Sequence, residues 1–176
     1  MTTMSPPFDP PRSPAIRLAV LTVSDRCARG EATDTSGPAL VRLCKDQLGA
    51  ELIETACIPD DPTEIERLLR AWSQQTPAID LILATGGTGL APRDHTPEAA
   101  MRIIDRPHPA LLELARYRCL EKTPRAFLTR GVAGAANQSL IITLPGSERG
   151  STENLAAITD ILPHAIETLR GDVKDG

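Results

Sequence analysis

Three stretches of this chain, 16–23 (IRLAVLTV), 79–84 (IDLILA) and 139–144 (SLIITL), are apolar almost throughout. A strand that keeps no wet side is covered on both faces, as strands are in a parallel sheet packed between helices. The intervening sequence has the matching helical pattern. Leu40, Val41, Leu43, Cys44 and Leu48 predict a helix over about 38–48, stopped by Gly49. Residues 51–58 read as a further strand. Asp61 is placed to cap a helix whose first residue is Pro62, with Glu64 in capping-box position and Ile65, Leu68, Leu69 and Trp72 along it. Thr96-Pro97-Glu98 predicts another start, with Thr96 as the cap, and 110–120 reads as helical. Residues 131–138 are small and read as flexible. Ser151 is expected to cap a last helix, interrupted by Pro163. Strands separated by helices require crossover connections, so the predicted fold is α/β, with a mostly parallel central sheet and helices on both faces.

Ligands of such sheets sit beyond the carboxyl ends of the strands. Four polar segments directly follow predicted strands: Ser24-Asp25, Pro59-Asp60-Asp61, Thr85-Gly86-Gly87-Thr88-Gly89 and Pro145-Gly146-Ser147. They are expected to crowd one rim although they are distant in sequence. The glycine block is the most telling. Glycines let backbone approach an anion closely, and successive N–H groups can point at it. No Gly-Lys-Ser/Thr follows, so this is not a Walker A loop, and the Gly-x-Gly-x-x-Gly spacing is absent as well. Asp94, just beyond, suggests a metal ion on a bound phosphate.

Composition narrows the function further. A chain of 176 residues fits one domain, and with aromatic residues at 2% its core has to be aliphatic. Few aromatics leave no stacking platform for single-stranded nucleic acid, and a net charge of −4 argues against nucleic-acid or anionic-membrane partners. No run is long enough to span a bilayer, and no basic start precedes an apolar stretch, so the expected location is cytoplasmic. Cys27, Cys44, Cys57 and Cys119 lack metal-type spacing and read as reduced thiols; only Cys27, in a polar loop, has a setting for a catalytic thiol. His95, His108 and His164 share no ligand spacing. Pro6, Pro7, Pro10, Pro11 and Pro14 mark residues 1–14 as a disordered tail, leaving 15–176 as the single domain.

Taken together, Ser24-Asp25-Arg26, Asp34-x-Ser36-Gly37, Pro59-Asp60, Thr85-Gly86-Gly87-Thr88-Gly89, Pro92-Arg93-Asp94-x-Thr96-Pro97-Glu98-Ala99 and Leu144-Pro145-Gly146 resemble the MogA/MoaB family of molybdenum cofactor biosynthesis, including the G domain of gephyrin. The resemblance runs from about Ile16 to Arg170. It implies a three-layer α/β/α sandwich, a homotrimer, and transfer of AMP from Mg-ATP to the terminal phosphate of molybdopterin with release of pyrophosphate. The adenylylated pterin would then pass to a molybdate-inserting enzyme. On this resemblance Asp60 and Asp94 match the acidic residues associated with activity and would hold or orient Mg2+. The block Thr85, Gly86, Gly87, Thr88 and Gly89 would cradle phosphate, and Arg93 would clamp it. Asp25 would bond the pterin edge or serve the nucleotide. Ser24 and Ser36 would donate hydrogen bonds, and Pro145 and Gly146 would complete the binding wall.

Two segments depart from the family pattern. Thr129-Arg130 stands where relatives often show Ser-Arg, and 131–137 (GVAGAAN) is less basic than in many adenylyltransferases and approaches the MoaB-type version. Two other readings therefore stand beside the enzyme. One is a non-catalytic molybdopterin carrier of the MoaB type. The other is a trimeric scaffold such as gephyrin, for which this chain lacks the linker and second domain.

Overall fold

The computed structural model describes residues 14–172, so the tail expected at 1–14 lies outside the described residues except for Pro14. In chain order the elements are β1 (Arg17–Val23), α1 (Asp25–Ala28), α2 (Ser36–Leu48), β2 (Glu51–Ile58), α3 (Pro62–Ser73), β3 (Leu81–Thr85), α4 (Thr96–Met101), β4 (Arg106–Pro107), α5 (Pro109–Cys119), a 3-10 turn (Pro124–Leu128), β5 (Ala133–Ala136), β6 (Ser139–Leu144), α6 (Glu148–Ala156) and α7 (Leu162–Arg170). The strands form one sheet in the order β2-β1-β3-β6-β5-β4. The first four are parallel, and β5 and β4 close the far edge antiparallel. The result is the expected three-layer α/β/α sandwich.

Strand periodicity sorts the core into two layers. Leu18 and Val20 of β1, Leu81 and Leu83 of β3, and Leu140, Ile142 and Leu144 of β6 face one side, where Leu40, Leu111, Leu155, Leu162 and Ile166 cover them. The alternate residues Ala19, Leu21, Ile82, Ala84 and Ile141 face the other side, against Ile65, Leu69 and Trp72 of α3 and Ala99 and Ala100 of α4. All of these side chains are buried. The first and last described segments are tied to the sheet by Asp80, which is 5% exposed. Its carboxylate accepts from Arg170 Nε (2.8 Å) and Nη2 (2.7 Å) and from the Arg17 backbone N–H (2.7 Å). No helix among the described residues is long and apolar enough to cross a membrane.

Local chemistry departs from the sequence expectation at five places. The helix expected from 38 begins at Ser36, because Asp34 Oδ1 accepts the Gly37 N–H (3.0 Å). At α3, Asp61 caps as expected, accepting from the Thr63 and Glu64 N–H groups, but Glu64 pairs with Arg67 instead of returning to the cap. Thr96 does not cap α4. His95 holds that position, and the Thr96 hydroxyl is buried with no partner among the described residues. Ser151 is interior to α6, its hydroxyl donating to the Glu148 carbonyl (3.0 Å), while Ser147 caps by accepting from the Gly150 N–H (3.1 Å). Residues 133–136, expected to be flexible, are a fully buried strand. Their small size serves close packing: a Cβ on Gly134 would lie 2.7 Å from the Arg106 carbonyl oxygen.

Candidate active site

The carboxyl ends of β1, β2, β3 and β6 do converge on one rim, and hydrogen bonds stitch the segments that follow them. The Ser24 N–H donates to the Ile58 carbonyl (2.9 Å), and the Gly86 N–H to that of Leu144 (3.1 Å). Thr85 Oγ1 donates to the Pro145 carbonyl (2.7 Å). Gly86 is the tightest point, with φ +101; a side chain there would run into the Val23 carbonyl, and a Cβ on Gly146 would lie 3.1 Å from the Gly86 Cα. Glycine is what allows three strand ends to meet here.

A cleft of about 230 Å³ opens on this rim. Of the residues selected from sequence, Ser24, Asp25, Ser36, Asp60, Gly86, Gly87, Arg93, Asp94 and Gly146 line it. Thr85, Thr88, Gly89 and Pro145 are not among its lining residues. Thr85 and Thr88 are buried and their hydroxyls are already engaged: Thr88 Oγ1 donates to the Leu144 carbonyl (3.4 Å) and accepts from Thr129 Oγ1 (3.0 Å). The Gly86 N–H is likewise taken by β6. The N–H groups of Gly87, Thr88 and Gly89 have no protein acceptor among the described residues; of the three, Gly87 lines the cleft itself.

The acidic residues surround these donors. Asp60 lies beside Gly87, where a Cβ would come 2.8 Å from Oδ2, and Asp94 lies over Gly89, where a Cβ would come 2.7 Å from its Oδ2. Asp60 Oδ1 is 3.5 Å from the His95 N–H. Burial pushes the Asp60 carboxyl above its ordinary range; the His95 N–H opposes that, while the charges of Asp94 and Asp25 add to it. Such a site gains from a cation. The donor set fits Mg2+, which uses one or two carboxylates together with substrate phosphates rather than a complete protein cage. Among the described residues no three acidic, histidine or cysteine groups are gathered closely enough to form such a cage.

Asp25 is engaged within the protein. Its Oδ1 accepts the Asp60 backbone N–H (2.9 Å), and its Oδ2 pairs with Arg93 at 3.4 Å. It therefore fixes the entry of Asp60 into the rim and tethers Arg93, whose side chain is 71% exposed. Ser36 Oγ donates to Asp34 Oδ1 (3.3 Å), and Asp34 also accepts from Thr22 Oγ1 (2.7 Å), so the Asp34-x-Ser36 pair braces α2 against β1. Ser24 Oγ accepts the Cys27 N–H (3.3 Å) as the cap of α1. Cys27 lines the cleft as well.

Two features carry no role in the sequence, although Thr129-Arg130 stands out there as a departure from the family pattern. Arg130 grips the segment between the glycine block and α4. A second cleft, of about 390 Å³, lies on the other side of Pro145 and Ser147, where Lys122, Arg125 and Arg149 bring positive charge. Lys122 and Arg125 sit close together after α5, but Arg149 joins them from the first turn of α6, and only the tertiary structure brings the two segments together.

This geometry has counterparts in known proteins. A family model described as "Probable molybdopterin binding domain" matches residues 19–164. The "Molybdopterin adenylyltransferase" of Helicobacter pylori is 35% identical over 158 residues, covering 89% of this chain and 89% of that one. "Molybdenum cofactor synthesis protein cinnamon" of Drosophila melanogaster is 37% identical over 159 residues, covering 90% of this chain but 26% of that protein, so this chain spans about a quarter of its length. The solved structure of "Molybdopterin biosynthesis enzyme MoaB" from Thermus thermophilus superposes with a TM-score of 0.83 at 45% identity, covering 89% of this chain and 97% of that one.

Proposed function

Because this chain belongs to the MogA/MoaB family of molybdopterin-handling proteins in molybdenum cofactor biosynthesis, we propose that its acid-flanked rim joins molybdopterin to AMP. The observation that carries this reading is the placement of Asp60 and Asp94 beside Gly87 and Gly89, with the N–H groups of Gly87, Thr88 and Gly89 left without protein acceptors.

The chemistry suits those groups. The nucleophile is the terminal phosphate monoester of molybdopterin, largely dianionic near neutral pH, so it requires no general base. An oxygen of that phosphate bonds to the α-phosphorus of ATP; the bond from this phosphorus to its bridging oxygen breaks, and pyrophosphate leaves with the electron pair. The obstacle is repulsion between two anions, which calls for charge neutralisation and positioning. The free N–H groups hold the polyphosphate, Arg93 swings from Asp25 onto it, and Asp60 and Asp94 orient the cation. Mg2+, held by those two carboxylates, supplies charge neutralisation on the phosphates. The cleft bearing Lys122, Arg125 and Arg149 shares the wall at Pro145 and Ser147 and is the natural place for the second anionic substrate. The domain is proposed to occupy 15–176 and to work as a homotrimer, for which the exposed Leu90, Tyr117, Leu120, Phe127 and Leu128 offer apolar surface; light scattering on the purified protein tests the trimer.

A second reading is a MoaB-type protein that binds molybdopterin without transferring AMP. It is favoured by identity: 45% to the solved Thermus structure named MoaB against 33% to a solved structure named MogA. Pyrophosphate release from Mg-ATP with molybdopterin supplied separates the two. Release supports the transferase; stoichiometric pterin binding without release supports the carrier.

A further inference from the structure

The loop 89–95 carries both Arg93 and Asp94 yet contains no regular structure. Its internal closure is local: the Asp94 N–H donates to the Ala91 carbonyl (2.9 Å), and the Ala91 N–H returns to Asp94 Oδ2 (3.0 Å). That closure shapes the turn without fixing where it sits. Fixing comes from one side chain. Arg130 Nε donates to the Gly89 carbonyl (2.7 Å), Nη2 to the Asp94 carbonyl (2.6 Å), and Nη1 to the Glu98 carboxylate on α4. Its own backbone N–H donates to the Thr88 carbonyl (2.8 Å). One planar guanidinium thus reaches the end of the glycine block, the acidic residue and the helix that follows. The remaining long-range ties of the loop are weaker: Arg93 to Asp25 at 3.4 Å and the His95 N–H to Asp60 at 3.5 Å.

We propose that Arg130 is the positioning residue for Asp94, setting the height of its carboxylate over the glycine block and thereby the affinity of the rim for a divalent cation on a nucleotide. The inference rests on the reading of Asp94 as a cation-orienting group. Arginine suits the task because its fork presents several donors in a fixed plane, whereas a lysine ammonium at the same place could not span all three acceptors. The preceding Thr129 hydroxyl bonds Thr88, so the pair 129–130 buttresses the block on both sides.

The test compares wild type, Arg130→Lys and Arg130→Met. Hydrogen exchange on the ligand-free proteins is expected to speed up about tenfold or more across 89–97 in Arg130→Met, with β3 and β6 unchanged and Arg130→Lys intermediate. Binding of Mn2+ in the presence of ATP, read by electron paramagnetic resonance, is expected to weaken about 10–100-fold in Arg130→Met and less in Arg130→Lys. Wild-type exchange in Arg130→Met overturns the proposal. So does faster exchange with unchanged Mn2+ affinity, or a wild-type protein that takes up no Mn2+ with ATP. A wild type that binds Mn2+ and ATP but releases no pyrophosphate refutes the adenylyl-transfer reading and leaves this inference standing.

Discussion

Gly86→Ala tests whether the strand ends meet as tightly as described. Gly86 has φ +101, outside the range an L side chain adopts without strain, and its added Cβ would press on the Val23 carbonyl oxygen and lie 3.1 Å from the carbonyl carbon. Left-handed backbone costs a residue with a Cβ about 1–2 kcal/mol. Forcing a methyl into packed backbone costs about 1–3 kcal/mol more, because a carbonyl at the end of a central strand cannot rotate away as a side chain could. The expected loss is about 2–5 kcal/mol, a large share of the roughly 5–15 kcal/mol that holds a domain together. Gly49→Ala is the control. Gly49 also has positive φ, +60, but nothing lies within 4 Å of its Cβ position, so it should lose only the backbone share, about 1 kcal/mol. Urea unfolding followed by fluorescence of Trp72, the only tryptophan and 5% exposed, gives both values. Equal losses for the two variants would refute the close approach of β1, β3 and β6 at this rim.

Asp80→Asn leaves the Arg170 guanidinium half-answered in a buried setting and is expected to cost about 3–5 kcal/mol in the same assay, since breaking one side of a buried pair strands the other charge. Asp25→Asn keeps an acceptor for the Asp60 N–H but removes the tether of Arg93, so it is expected to change nucleotide affinity, measured by calorimetry, with little loss of stability. Thiol labelling with an aromatic disulfide reagent is expected to modify the exposed Cys57 in the native protein, while Cys44, whose thiol is buried and pushed up to about 12, reacts only after unfolding. Cys27→Ala is expected to leave pyrophosphate release unchanged, because the chemistry proposed for this rim needs no thiol.

The parts of the fold written in local chemistry could be read without coordinates. The apolar runs at 16–23, 79–84 and 139–144 became β1, β3 and β6, and Asp61-Pro62 capped α3, because burial on both faces and a missing N–H leave direct marks on residue choice. The rim followed from the rule that parallel strands end together, and Asp60, Asp94, Gly86 and Gly87 meet there. What sequence could not separate was a small residue that moves from one that packs: 131–138 looked flexible, yet 133–136 is a buried strand whose glycine admits β4. Nor could it tell which polar groups were already taken. Thr85, Thr88 and Ser36 look like ligand donors in one dimension, but the Thr85 and Thr88 hydroxyls bond partners that only folding brings near, and that of Ser36 turns back to Asp34 two residues away. The grip of Arg130 on Gly89, Asp94 and Glu98 is equally invisible, since it joins residues 32 to 41 positions apart.

The central claim is that the phosphates of a magnesium nucleotide lie on the free N–H groups of the glycine block between Asp60 and Asp94. A crystal structure of the full chain with Mg2+ and a non-hydrolysable ATP analogue tests it most directly. The account predicts polyphosphate within hydrogen-bonding distance of the Gly87, Thr88 and Gly89 N–H groups, with the metal touching at least one of the two carboxylates. Polyphosphate seated among Lys122, Arg125 and Arg149, with the acidic cleft holding neither metal nor phosphate, would contradict it.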